Sequence, residues 1–144
     1  MDRALNYMAL ARKAGRIELG EEPVGAVSRE KKARLIVVAS DATEHTWRRA
    51  KSFVAGTEQI CIRVPFTKDE LGMAIGRSEL ALAAFTDPAL ALAFLKALPN
   101  AGEFRRETEV LDIKSRRIAQ RRQEAAAHKR NQQAGRSRRV RNGN

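Results

Sequence analysis

Residues 34–39 (RLIVVA) constrain the fold more than any other stretch of the chain. After Arg34 they form an unbroken apolar run rich in β-branched side chains, with no polar alternation, which marks a strand covered on both faces. Such a strand needs a layer on either side, and the segments around it are helical in pattern. Residues 3–14 place Leu5, Met8, Ala9 and Arg12 at helical spacing, and Gly15 stands where a left-handed C-terminal cap is expected. Residues 16–19 (RIEL) suit a short strand. Gly20 then opens a second helix running to about Lys31, with Glu21, Glu22 and Pro23 in its first turn, where acidic side chains and a missing N–H are both tolerated. After the 34–39 strand, residues 40–44 form a turn and N-cap. Trp47, Ala50 and Val54 then make the stripe of a third helix ending at Gly56. Residues 60–64 (ICIRV) are a third strand, and Thr67 with Glu70 forms a capping box for a short fourth helix, KDELGMAIG. A fourth strand at 80–85 and a fifth helix at 89–98, entered through Asp87 and Pro88, complete the pattern. The alternation predicts an α/β fold: a three-layer α/β/α sandwich with a mixed four-stranded sheet.

The remaining third differs in chemistry. The chain has 144 residues and a net charge of +11, of which residues 1–100 hold +3 and residues 101–144 hold +8. After Ile118 the only large apolar residue is Val140, too little buried surface to offset the entropy of ordering. Clustered Pro99, Asn100 and Gly102 mark a boundary, giving a domain at 1–98 and a basic tail at 99–144 that is largely disordered or partly helical. Helix is compatible with residues 107–133, where Leu111 and Ile118 lie seven apart, whereas 134–144 have no periodicity. The tail is either a solvated charged extension or an arm along nucleic-acid phosphates, and its charge density favours the arm. The phosphate contacts would be Arg116, Arg117, Arg121, Arg122, Lys129, Arg130, Arg136, Arg138, Arg139 and Arg141.

Several function classes lose support. No stretch reaches the ~20 apolar residues of a membrane helix, and Arg12 and Lys13 interrupt what a leader would keep uncharged, so a cytoplasmic protein is expected. One cysteine, Cys61, permits no internal disulfide and no thiolate metal cage. It lies within a strand and reads as a buried, inert thiol. His45 reads as a solvated surface residue and His128 lies in the tail. Glu21 and Glu22 are adjacent, so on a helix they point about 100° apart and make no facing acid–base pair. Residues 72–78 (GMAIGRS) fail as a phosphate-cradling loop, because three residues separate the glycines and Arg replaces the Lys. No catalytic residue, metal ligand set or cofactor is expected, and the chain reads as a non-enzyme.

The order GEE at a helix start, RLIVVASDA, VPFTKDELGMAIGRSE and LALAAFTDP resembles the kink-turn-binding superfamily of ribosomal proteins L-seven-Ae and L-thirty-e, most closely its bacterial YlxQ-like branch. The resemblance covers about residues 3–98. It implies non-catalytic binding of structured RNA, kink-turn-like or ribosomal, by a ribosome-associated monomer that takes no small-molecule substrate. It also implies an RNA-binding surface: Gly20, Glu21 and Glu22 at the second helix start, and Gly76, Arg77, Ser78 and Glu79 between the fourth helix and fourth strand, flanked by Lys13 and Arg16. Glu21 and Glu22 can equally be read as helix-dipole partners. Archaeal members carry Asn and Lys where this chain has Glu21 and Gly25, so an amide and a cation are missing from that face. Alternatives are a recognition module serving a separate RNA-modifying enzyme, and a general nucleic-acid packaging or assembly factor.

Overall fold

The computed structural model describes residues 2–142, with side chains described through residue 135. The elements are α1 (Arg3–Lys13), β1 (Ile17–Leu19), α2 (Glu21–Arg29), β2 (Leu35–Val38), α3 (Glu44–Val54), β3 (Cys61–Arg63), α4 (Lys68–Ala74), β4 (Leu82–Phe85), α5 (Pro88–Ala97), a 3-10 turn (Ala101–Phe104) and α6 (Arg105–Asn142). They fall into two units, residues up to Asp112 and residues from Ile113.

In the first unit the sheet runs β1-β4-β2-β3. β4 is antiparallel to both β1 and β2, while β2 and β3 are parallel, so the sheet is mixed as the alternation predicts. β2 and β4 occupy the centre, and every residue of both is buried. Helices α1, α4 and α5 pack together on one side, and α2 packs against α3 on the other, giving three layers. Phe85 of β4 and Phe94 of α5 meet at a ring-centroid separation of 5.1 Å within the core. The strands are a residue or two shorter than the segments expected from sequence, although the flanking Val64 N–H still donates to the Val38 carbonyl at 2.9 Å.

Local sequence sets the helix starts. The Asp2 carboxylate accepts from the Ala4 N–H at 2.8 Å, and the Asp87 carboxylate accepts from the Ala89 N–H at 2.9 Å just ahead of α5. The Thr67 hydroxyl accepts from the Glu70 N–H at 3.2 Å, while the Glu70 carboxylate accepts from the Thr67 N–H at 3.1 Å, closing the expected box. Such caps each contribute about 1 kcal/mol. On α3 only Ala50 of the expected stripe is fully buried; Trp47 and Val54 pack partly exposed against the core.

The first unit continues past Leu98 through the 3-10 turn and the start of α6, because Leu111 is wholly buried in its core. The Pro-Asn-Gly cluster is therefore a turn within the unit, and its last core residue comes later. Helix α6 also includes residues 134–142, where the sequence shows no apolar period, since Ala134 and the arginines of this segment need no apolar partner to adopt helix.

Leu111→Ala should cost about 2–5 kcal/mol of unfolding free energy. Ile113→Ala, at a position 50% exposed, should cost far less. Urea denaturation of the two variants separates them, and equal effects would detach Leu111 from the core.

Candidate functional site

The antiparallel register of β1 and β4 brings the two resemblance-implied surfaces to one end of the sheet. Leu19 lies opposite Ala83, and the Gly20 N–H donates to the Leu82 carbonyl at 3.1 Å. The segment leaving β1 and the segment entering β4 are thus neighbours. β2 ends at the same place, with Val38 opposite Leu82 and the Ala39 N–H donating to the Ala81 carbonyl at 2.9 Å. The Asp41 carboxylate then accepts from the Lys68 N–H at 2.8 Å, tying the loop after β2 to the start of α4.

Gly20 caps α2 with φ +93°, a conformation that glycine adopts without a Cβ penalty. No side chain caps this helix, so its first N–H groups and positive dipole end face outward. Glu21 and Glu22 sit in that first turn, both exposed. Across the sheet end, Gly76 turns the chain at φ +78° after α4, and Arg77, Ser78 and Glu79 are exposed. The loop is held by the Arg77 N–H donating to the Gly72 carbonyl at 2.8 Å and the Leu80 N–H to the Lys68 carbonyl at 2.9 Å. A Cβ at position 72 would lie 2.6 Å from the Glu79 Cα and 2.9 Å from the Arg77 carbonyl oxygen. Gly72 therefore serves a close backbone approach. Its neighbours Leu71, Ala74 and Ile75 are buried, so the segment ELGMAIG is a packing and turning device that presents Arg77 to Glu79.

Lys13 and Arg16 do not flank this surface. The Arg16 carbonyl accepts from the Thr86 N–H at 2.9 Å and Ile17 lies opposite Phe85, which places both residues at the other end of β1. The cations beside the site come instead from α2 and α3. The Arg49 Nε lies 2.7 Å from a Glu21 carboxylate oxygen, and its guanidinium carbon lies 5.2 Å from the Phe53 ring centroid. A cleft of about 350 Å³ opens between the two helices, lined by Glu21, Glu22, Gly25, Arg29, Arg49 and Phe53. A Cβ on Gly25 would stand 3.1 Å from the Phe53 ring, so the small residue makes room for the aromatic one. Periodicity could not assign Arg49 and Phe53 to this site, because both sit on the partly exposed side of α3 and meet Glu21 only through helix packing. The one available signal was the size pairing of Gly25 with an aromatic residue elsewhere.

The other sequence-level candidates for chemistry are placed as follows. Cys61 is half-buried, and burial pushes its thiol above the ordinary range against the smaller opposing effect of Lys51, which disfavours the thiolate. His45 is exposed. Two cations lie over the Trp47 ring, Arg63 at 5.0 Å and Lys51 at 5.7 Å from its centroid. Among the described residues no three His, Cys, Asp or Glu side chains converge as a metal site, and no helix is long and apolar enough to cross a membrane. On α6, Arg116, Arg117, Arg121, Arg122, Lys129 and Arg130 are exposed. The side chains of Arg136, Arg138, Arg139 and Arg141 lie outside those described.

No family model matches the chain. The RNA-binding protein YlxQ of Enterococcus faecium is 35% identical over 75 residues, which span 52% of this chain and 72% of that protein. Among solved structures, a protein of unknown function from Bacillus halodurans C superposes with a TM-score of 0.60 at 21% identity, covering 78% of this chain and 99% of its own. The Giardia lamblia 15.5kD RNA binding protein gives 0.56 at 19% identity, covering 74% and 85%. At those identities the structural likenesses establish the fold.

Gly72→Ala should destabilise the domain by roughly 1–3 kcal/mol, because the added methyl meets backbone atoms that cannot rotate away. Thermal melting reads the loss, and an unchanged melting temperature would show that the loop has room to yield.

Proposed function

The chain belongs to the YlxQ branch of the ribosomal L-seven-Ae and L-thirty-e superfamily, and from that premise we propose that it is a non-catalytic protein that binds structured RNA. The observation that carries the reading is the convergence of the α2 start and the α4–β4 loop at one end of the sheet. Free N–H groups at a helix start receive phosphate or base-edge acceptors. Exposed carboxylates such as Glu22 and Glu79 accept from base amino groups, and Arg77 offers five donors. Among the described residues, none of these three side chains has a hydrogen bond or ion pair of its own. They are available to a ligand.

Two carboxylates at the α2 start would repel phosphate if both were bare. The contact with Arg49 offsets the charge of Glu21, and Arg29 adds a second cation on the face where the archaeal relatives carry Lys. In this reading the surface selects a kink-turn-like or ribosomal RNA fold, and the chain works as a ribosome-associated cytoplasmic monomer. The basic segment supplies affinity without selectivity. At about 100° per residue, Lys114, Arg117, Arg121, Arg122 and Lys129 fall within a helical sector of about 140°. That face can follow a phosphate backbone.

Arg77→Ala combined with Glu79→Ala should weaken binding to a kink-turn hairpin roughly tenfold, the loss of one charge-assisted hydrogen bond, with the melting temperature nearly unchanged. Equal affinity in the double variant would remove this surface from the interface. Deleting residues 113–144, which leaves the first unit whole, should flatten the slope of log affinity against log salt by about five if about six phosphates are contacted. An unchanged slope would exclude the arm.

A further inference from the structure

Helices α1 and α2 both finish at the end of the sheet remote from Gly20, and they finish by the same turn built on different residues. After α1 the Gly15 N–H donates to the Arg12 carbonyl at 3.2 Å and the Arg16 N–H to the Ala11 carbonyl at 2.8 Å. After α2 the Lys31 N–H donates to the Ser28 carbonyl and the Lys32 N–H to the Val27 carbonyl, both at 2.9 Å. The residue at the centre of this turn takes positive φ, for which glycine is preferred. Gly15 meets that need at φ +67°, whereas the equivalent residue after α2 is Lys31 at φ +59°, the one non-glycine residue with positive φ among those described. A cation thus stands where a Cβ strains the backbone. The Arg16 carbonyl accepts from the Thr86 N–H at 2.9 Å and the Arg34 N–H donates to the Phe85 carbonyl at 2.8 Å, so two arginines flank the exit of β4. Two strand spacings set their backbones about 10 Å apart. Arg16, Lys31 and Lys32 are exposed, and the half-buried Arg34 keeps its Nε shielded from solvent without an acceptor. Of these four cations only Lys32 has an ion pair, to Glu30 at 3.6 Å. Glu18 and Glu58, which also border this end, pair with none of them.

We propose that this end is a second RNA-contacting surface, on which Arg16, Lys31, Lys32 and Arg34 grip the phosphates of a duplex segment, so that one chain holds two RNA segments together. The inference goes beyond the RNA-binding reading in adding this contact, and it rests on that reading for the first one. Four residues of extended chain separate Arg16 from Gly20, about 13 Å, and the two surfaces face away from each other along the strands. Helix dipoles do not account for the cations. Such an effect fades beyond the last turn, where Arg12, Lys13 and Arg29 already supply it, whereas these four lie past the helix ends. Neither residues 12–16 (RKAGR) nor residues 30–34 (EKKAR) include an aromatic side chain, so unpaired bases would find no ring to stack on. Neither segment exposes a large apolar side chain, which the core of a protein–protein interface would use. Duplex phosphates require only cations, and double-stranded RNA is held largely by its shape and backbone.

The test is a backbone amide NMR titration of the full chain, first saturated with a kink-turn hairpin and then given a short blunt RNA duplex. Because the basic segment also attracts phosphate, the readout is taken residue by residue. The duplex should shift the amides of residues 12–16, 31–34 and 86 while those of 20–22 and 76–79, already shifted by the hairpin, stay in place. Lys31→Gly, which relieves the strained turn, should keep the melting temperature at or above its original value yet weaken the duplex about threefold, the scale of one exposed ion pair. Replacing Arg16, Lys31, Lys32 and Arg34 together by Gln should flatten the slope of log duplex affinity against log salt by about three if about three phosphates are contacted, with hairpin affinity kept. Duplex shifts confined to residues beyond 112, displacement of the hairpin by the duplex, or an unchanged slope in the fourfold variant would overturn the second surface while leaving the RNA-binding reading standing. Equal shifts at the same residues with a poly-glutamate chain would overturn the duplex assignment in favour of an acidic protein. Failure to bind the hairpin would overturn the RNA-binding reading itself.

Discussion

The antiparallel pairing of β1 with β4 is the constraint on which the candidate site depends. An antiparallel pair places the end of one strand beside the beginning of the other. The exit from β1 at Gly20 thereby becomes a neighbour of the entry to β4, although roughly sixty residues of chain separate them. Had β1 run parallel to β4, the α2 start and the α4–β4 loop would lie at opposite ends of the sheet. The pairing survives with only three residues in β1 because β4 is also held by β2, whose four residues are all inaccessible to solvent. Burial at the centre of the sheet thus supports the geometry at its end.

Charge and selectivity have separate sources. The basic excess lies mainly in residues 101–144, and it governs how strongly binding depends on salt. The sheet end balances carboxylates against arginines and amide donors. Such a surface has little pull at a distance, because opposite charges a few ångströms apart cancel beyond the Debye length of about 8–10 Å. It can still discriminate at contact, where the direction of each donor and acceptor counts. The Glu21–Arg49 contact matters for orientation more than for energy, since both partners are largely exposed to water.

Much of the architecture was legible in the sequence because its signals are local. The capping box at Thr67 and Glu70, the Asp87-Pro88 helix start and the apolar run at 34–39 each act within a few residues, so the structure reproduces them with small shifts at the ends. The ELGMAIG segment was recognisable as a pattern, but its physical reason was not. Only the approach of Glu79 to Gly72 explains why a side chain is excluded there. Pro99 and Gly102 look like an ending, whereas Leu111 beyond them is buried with the core.

By itself the sequence determined the alternation of elements, their capped starts, the buried identity of the central strands and the concentration of positive charge after residue 100. These follow from periodicity, turn chemistry and composition, which a linear chain carries explicitly. Tertiary structure alone decided which charged groups share a surface. It moved Lys13 and Arg16 to the far end of β1 and brought Arg49 and Phe53 against Glu21 and Gly25. Strand direction and helix packing set those distances, and neither is written in the spacing of residues along one segment.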